Sequence, residues 1–185
     1  MFDQFKAKAE AVSAEVHRFA TRPEALGFIV NLLEREAVAD SAGSYAVWYR
    51  NVFLSEEEAG ALAARIPGLG FEITRERAAA AKIGISEVDW AVAETGTLLV
   101  DATAVEHRLV SSLPLIHIAL AATARMTPDM RSGFAKFDLQ RCGFLSAITG
   151  PSRTADIERV LTIGVHGPKR LVIVFVDELG KAELQ

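Results

Sequence analysis

The amino-acid sequence predicts an α/β fold, a three-layer α/β/α domain on a mainly parallel sheet with an N-terminal helical extension. Two observations carry this prediction. Strand-like and helix-like segments alternate along most of the 185 residues, the pattern of crossovers that cover both faces of a sheet. The run Leu171-Val172-Ile173-Val174-Phe175-Val176 is apolar without alternation, as befits a strand buried on both sides. A single domain over 1–185 follows, with helices in 1–40 and the α/β core in 41–185.

The elements are justified in order. Residues 2–39 are rich in Ala, Glu, Lys and Leu, with Pro23 suited to a first helical turn, so two helices are expected. In the second, Ala25, Phe28, Ile29, Leu32 and Leu33 form an apolar stripe. Tyr45-Ala46-Val47-Trp48-Tyr49 follows a breaker cluster and reads as a buried strand. Ser55-Glu56-Glu57-Glu58 opens a helix, Ser as cap and the acids complementing its dipole, and Pro67-Gly68 ends it. Strands are expected at 71–74, 88–93, 98–101, 115–121, 144–149 and 171–176, and helices at 75–82, 130–140 and 154–162.

Composition narrows the function. Half the residues are hydrophobic and 24% are charged, the balance of a soluble globular protein. A net charge of −4, without a block of like charge, argues against nucleic acid as a partner. A single cysteine, Cys142, rules out an intramolecular disulfide, a paired-cysteine zinc site and a cluster held by four cysteines of this chain. No histidine pair has metal-ligand spacing, so no bound metal is expected. The longest uncharged apolar stretch, 109–124, is too short for a membrane span, and the acidic start lacks a signal-peptide core. A cytoplasmic location is the expectation.

Four places carry candidate chemistry. Glu94-Thr95-Gly96-Thr97 sets an acid, two hydroxyls and a glycine between apolar strands. Glu94 suits a general base or nucleophile, while the same residues suit a plain hairpin turn. Thr149-Gly150-Pro151-Ser152-Arg153-Thr154-Ala155-Asp156-Ile157-Glu158 places donors at the start of an expected helix, where anions bind. There, however, Asp156 and Glu158 would oppose a phosphate and the hydroxyls would serve as caps. His166, between Gly164-Val165 and Gly167-Pro168, titrates near neutral pH if it faces a cleft. Arg108 in Glu106-His107-Arg108 suits a carboxylate or lies on a solvated face, and His117 reads as a hydrogen-bonded core residue.

Taken in order, Trp90 to Thr97, Leu113-Pro114-Leu115-Ile116-His117-Ile118, Thr149 to Glu158, and Gly164 to Pro168 resemble the lactate-utilization protein C family, also called the LUD domain. The resemblance implies a fold like that of ribose-5-phosphate isomerase, glucosamine-6-phosphate deaminase and the coenzyme A transferases. It implies a subunit of a complex that oxidises L-lactate to pyruvate. No cofactor is expected in this chain by itself; iron–sulfur clusters, with or without flavin, are expected in partner subunits. Carried over by position, Glu94, Thr95, Gly96, Thr97, Ser152, Arg153, Thr154, Asp156 and His166 would surround one pocket for a small carboxylate or phosphate-bearing ligand, with Glu94 and His166 available for proton transfer and Arg108 as a further anion contact. The alternatives are a stand-alone isomerase or acyl-transfer enzyme of the same fold, in which Glu94 would be the nucleophile, and a non-catalytic interaction subunit. The N-terminal helix, with Phe2 and Phe5, packs either on its own domain or against a second copy in a homodimer.

Overall fold

A computed structural model of the chain describes residues 1–50, 52–138, 140–155, 161–163 and 166–179, with backbone alone for 154–155 and 161–163. Its centre is a six-stranded, wholly parallel sheet. In spatial order the strands are β1 (Glu15–Phe19), β12 (Arg170–Val176), β7 (Ile116–Ala122), β4 (Ala81–Glu87), β2 (Tyr45–Tyr49) and β3 (Leu69–Gly70). Alternation along these strands sorts their side chains to two faces. Trp48, Ile83, Ile85, Ile118, Val172 and Val174 point to one face. There they pack with Ile29 and Leu33 of α2 (Arg22–Arg35) and Leu62 of α3 (Glu56–Arg65).

The opposite face is covered by three pieces. A smaller sheet of β8 (Met126–Thr127), β5 (Trp90–Val92), β6 (Thr97–Asp101) and β9 (Leu145–Ile148) lies over Ala119, Ala121, Leu171 and Ile173. Beside it α1 (Phe2–Ala11) inserts Phe5, whose ring meets Phe175 edge-on at 5.1 Å, with Phe2 at 5.4 Å. Both phenylalanines of the N-terminal helix are thus used inside their own domain. Toward the β2 edge, Val110 of α5 (Val105–Ser112) packs on Val47, with α4 (Arg75–Ala79) alongside. The predicted α/β class with a mainly parallel, helix-flanked sheet is what the chain adopts, with a second sheet filling part of one layer.

Local chemistry explains the helix starts. Thr21 accepts from the Glu24 amide and Ser55 from the Glu58 amide at 3.2 Å, each with a reciprocal glutamate contact that closes a capping box. Five elements depart from the sequence expectation. Glu15–Phe19 is a strand between the two N-terminal helices, paired along its length with β12; only Val16 is buried, so its signal in the sequence is weak. The Ala-rich helix stops at Ala79, and the backbone enters β4, whose Ala81, Ile83 and Ile85 are core. Residues 72–74 lead into α4, capped by Thr74, which accepts from Arg77 N at 3.1 Å, and α6 is the short helix Met130–Phe134. The described ends of the expected helix 154–162 are strand instead, β10 (Arg153–Ala155) and β11 (Leu161–Ile163), paired antiparallel, and 156–160 lie outside the described residues.

At the amino ends of the strands, Arg170 Nε donates to Glu15 at 2.8 Å and Nη1 to Glu36 at 2.7 Å. Lys82 Nζ reaches the Glu36 carboxylate at 2.8 Å and its carbonyl at 2.7 Å. These contacts tie the starts of β1, β4 and β12 to the end of α2. The aromatic cluster sets the first prediction. Phe5 is fully buried, so Phe5→Ala should cost about 3–5 kcal/mol of unfolding free energy in guanidinium titrations; a loss below about 1 kcal/mol would show that α1 is not part of the core.

Candidate functional site

Two cavities flank α5, one at each end of this eight-residue helix, which is about 12 Å long. The first lies where α5 ends and β12 is about to begin, and has a volume of about 320 Å³. Ser111 and Ser112 of α5, residues 146–150, Ser152, and His166-Gly167-Pro168 line it. Ser152 N donates to Pro168 O at 2.9 Å, which ties the two motif loops together. Ser111 Oγ donates to His107 O at 2.9 Å and Ser112 Oγ to Arg108 O, so those hydroxyl protons are already committed. The exposed His166 completes the recess. Neutral donors and one imidazole can hold a small carboxylate or hydroxy acid here.

A chain of hydroxyls leads from this recess into the small sheet. Thr149 shares a 2.8 Å hydrogen bond with buried Thr97, which in turn accepts from Thr95 at 2.8 Å. The turns on either side have a packing role. Gly96 (φ +68°) and Gly150 (φ +74°) both adopt the left-handed conformation, and a Cβ at either would lie 2.5 Å from Ala9 N or 2.7 Å from Val12 O. The end of α1 is therefore seated between two glycine turns. Arg153 adds to this contact, with Nη2 donating to Ser13 Oγ at 2.9 Å.

The sequence-predicted residues thus separate. Ser152 and His166 share the recess, and Thr95 and Thr97 connect to it through Thr149. Arg153 faces Ser13, and Gly96 faces α1. Glu94 is exposed in the β5–β6 hairpin, its amide donating to Pro128 O at 3.0 Å. Arg108 donates to the carbonyls of Ala102 and Thr103 and lies over the Phe144 ring at 4.9 Å. Thr154 is described only as backbone of β10, and Asp156 lies outside the described residues.

The second cavity, about 240 Å³, opens at the carboxyl ends of the parallel strands, where open α/β sheets hold their ligands. Tyr49 at the end of β2, Glu87 at the end of β4, Asp89, Asp101 at the end of β6, His107 and Arg125 line it. Glu87 accepts from Val52 N at 3.1 Å and Phe53 N at 2.9 Å. Asp89 Oδ2 accepts from Asp101 N at 2.7 Å, and burial pushes its carboxyl up. The Thr103 hydroxyl, donating to Asp101 Oδ1 at 2.6 Å, holds Asp101 below the usual carboxylate range. His107 stacks on Tyr49 at 4.9 Å, and burial lowers its pKa to about 4.

Behind His107 lies the other buried histidine. His117 Nε2 shares a 2.9 Å hydrogen bond with Ser86 Oγ, the core role the sequence suggested. Burial, reinforced by His107, lowers its pKa to about 3. His117 Nδ1 and His107 Nε2 have no partner among the described residues. Sequence reasoning did not single out Tyr49, Glu87, Asp89, Asp101 and Arg125. The available signal was positional, polar residues at or just beyond strand ends. Among the described residues no group of three or more His, Cys, Asp or Glu could hold a metal ion, and no helix is long and apolar enough to cross a membrane.

Comparison with known proteins agrees with the architecture. The LUD domain matches residues 2–176. Lactate utilization protein C of Exiguobacterium sp. is 40% identical over 114 residues, 58% of this chain and 50% of that protein. The protein of the same description from Halalkalibacterium halodurans is 34% identical over 109 residues, 56% of this chain and 47% of its own length. The chain thus spans about half the length of these curated relatives. A crystal structure of a DUF162 family protein from Deinococcus radiodurans superposes with a TM-score of 0.66 over 95% of both chains at 17% identity, a likeness of fold.

The two buried histidines set a pH dependence. Both stay neutral in the folded protein down to about pH 4 and pH 3, whereas unfolded histidine takes up a proton near pH 6.5. Their contribution is therefore fully present above pH 6.5 and is lost as pH falls below it. Each contributes a slope approaching 1.4 kcal/mol per pH unit, about, in the acid direction. Urea unfolding at pH 7 and pH 5 should show this loss, and His117→Gln should flatten it; equal slopes in both proteins would contradict the burial account.

Proposed function

The chain belongs to the LUD domain family, and from that premise we propose that it serves lactate utilization as a cytoplasmic subunit that works beside iron–sulfur partners in oxidising L-lactate to pyruvate. The observation that carries the proposal is the identity, 40% over 114 residues, with a protein described as lactate utilization protein C. The single cysteine supports a division of labour, since one thiol cannot hold a cluster whose four ligands are cysteines. Electrons would leave to the partners' cofactors, and this chain would handle the organic acid.

The recess beside Ser152 and His166 suits that task. The Ser146 and Ser152 hydroxyls in its lining are of the type that donates to a carboxylate. Lactate becomes pyruvate by losing two electrons and two protons, and an imidazole is a side chain that commonly serves as the general base for one of those protons. His166 is the imidazole lining this recess. Glu94, exposed on the hairpin, is not needed in this reading.

Affinity purification from a host grown on L-lactate tests the proposal. The chain should bring down a cysteine-rich partner that carries the visible absorbance of thiolate-ligated iron–sulfur clusters. Recovery of the chain alone from lactate-grown and control cells would contradict it. Within the purified protein, His166→Ala should weaken pyruvate binding by about tenfold, a loss of ~1.4 kcal/mol, without lowering the unfolding midpoint; unchanged affinity would remove His166 from the site.

A further inference from the structure

The hydroxyls around the recess at the end of α5 differ in what they have left to offer a ligand. A hydroxyl has one proton to give and lone pairs with which to accept, so one whose proton is spent inside the protein meets a ligand only as an acceptor. Ser111 Oγ donates to the carbonyls of His107 at 2.9 Å and Arg108 at 3.3 Å, and Ser112 Oγ donates to Arg108 O, the back-bonding that serine makes within a helix. The part of the lining that comes from α5 therefore has lone pairs to offer. It also belongs to the last turn of the helix, the negative end of the helix dipole, which disfavours a carboxylate placed against it.

The part of the lining that follows β9 has the reverse character. Thr95 Oγ1 donates to Thr97 Oγ1 at 2.8 Å, since the Met130 thioether at 3.7 Å is the weaker acceptor for the same proton. Thr97 is buried and, having accepted from Thr95, finds the acceptor for its own proton in Thr149 Oγ1 at 2.8 Å; any other direction would leave a buried donor unmade. The chain of hydroxyls thus runs outward from Thr95 through Thr97 to Thr149. It ends on a Thr149 proton that no described residue accepts, at an exposed position in the lining of the recess. Gly167 lets the two parts of the lining come close, because a Cβ there would lie 3.0 Å from Ser152 Cβ and 3.8 Å from Ser112 O.

We propose that this asymmetry, which rests on the reading of the recess as an organic-acid site, makes it selective for a 2-hydroxy acid over the matching 2-oxo acid, Thr149 donating to the carboxylate while Ser111 and Ser112 accept the proton of the ligand's hydroxyl. A 2-oxo acid brings only acceptors to the two serines, so lone pairs meet lone pairs. Lactate is then held on both sides of the recess and pyruvate on one, which favours entry of the former and departure of the latter. The three residues determine specificity and take no part in the oxidation itself. A volume of about 320 Å³, roughly ten water molecules of liquid, holds a three-carbon acid.

The test titrates L-lactate, pyruvate and propionate in turn into the purified full chain at neutral pH and constant ionic strength, and reads affinity from saturable shifts of the Thr149 and Gly167 amide resonances. L-Lactate should bind about tenfold more tightly than pyruvate or propionate. Ser111→Ala combined with Ser112→Ala should bring L-lactate to the affinity of pyruvate and leave pyruvate unchanged. Thr149→Val should weaken both acids by a similar factor, and Thr149→Ser, which keeps the hydroxyl, should restore them. Equal affinities for L-lactate and pyruvate in the wild-type chain would overturn the selectivity and leave the organic-acid site standing, whereas no saturable shift with any of the three acids would overturn both. An equal loss of both acids in the serine variant, or undiminished binding in Thr149→Val, would overturn the roles assigned to these residues; where a variant fails to fold, the wild-type comparison decides.

Discussion

Burial of the parallel sheet on both faces is the constraint from which the rest of the structure follows. β7 and β12 are core along nearly their whole length, with side chains packed alternately under α2 and α3 and under the small sheet and α1. A polar group in such a place has to be satisfied by its neighbours. The sheet admits one such pair in its middle, Ser86 and His117, which bond to each other. The charged residues Glu15, Lys82, Glu87 and Arg170 stand at or next to the strand ends. The amino ends are closed by the Arg170, Glu15, Glu36 and Lys82 cluster, and the carboxyl ends open into the acidic cavity.

The second layer makes the difference between the two ends. On one face two capped helices suffice. On the other, the four-stranded sheet, α1 and α5 share the area, and the seams between them become the cavities. The hydroxyl-lined recess lies between the end of α5, β9 and the turn before β12, whereas the acidic cavity lies between the start of α5 and the ends of β2, β4 and β6. One short helix therefore separates two environments of opposite preference, one built of neutral donors and the other dominated by carboxylates. The glycine turns that hold α1 stabilise the small sheet to which Thr97 and Thr149 belong, so the motif residues around Gly96 and Gly150 combine packing with proximity to the recess.

Much of the fold was legible because burial writes itself into periodicity. The continuous apolar run of β12, the stripe on α2 and the Ser55 cap each have one physical meaning in the sequence. Elements with divided signals were not legible. β1 buries only Val16, β4 begins in the same alanine run that ends α4, and 154–162 shows helical spacing although its described ends pair as strands. The site was legible only in part for a related reason. Ser152 and His166 come from motifs close to each other in sequence, and they do meet. Tyr49, Glu87, Asp89, Asp101 and Arg125 come from three strand ends and two loops, and only the sheet order brings them together. A glycine in a motif announces close approach without naming what approaches, and at Gly96 and Gly150 it is α1.

The central claim is that a small organic acid binds at the amino end of the sheet, away from the carboxylates. Mapping pyruvate onto the assigned backbone amide spectrum of the chain tests it most directly. The account predicts saturable shifts at Ser111, Ser112, residues 146–150, Ser152 and His166-Gly167, with Tyr49, Glu87 and Asp89 unmoved. Shifts centred on Tyr49, Glu87 and Asp89, or no saturable shift at all, would contradict it.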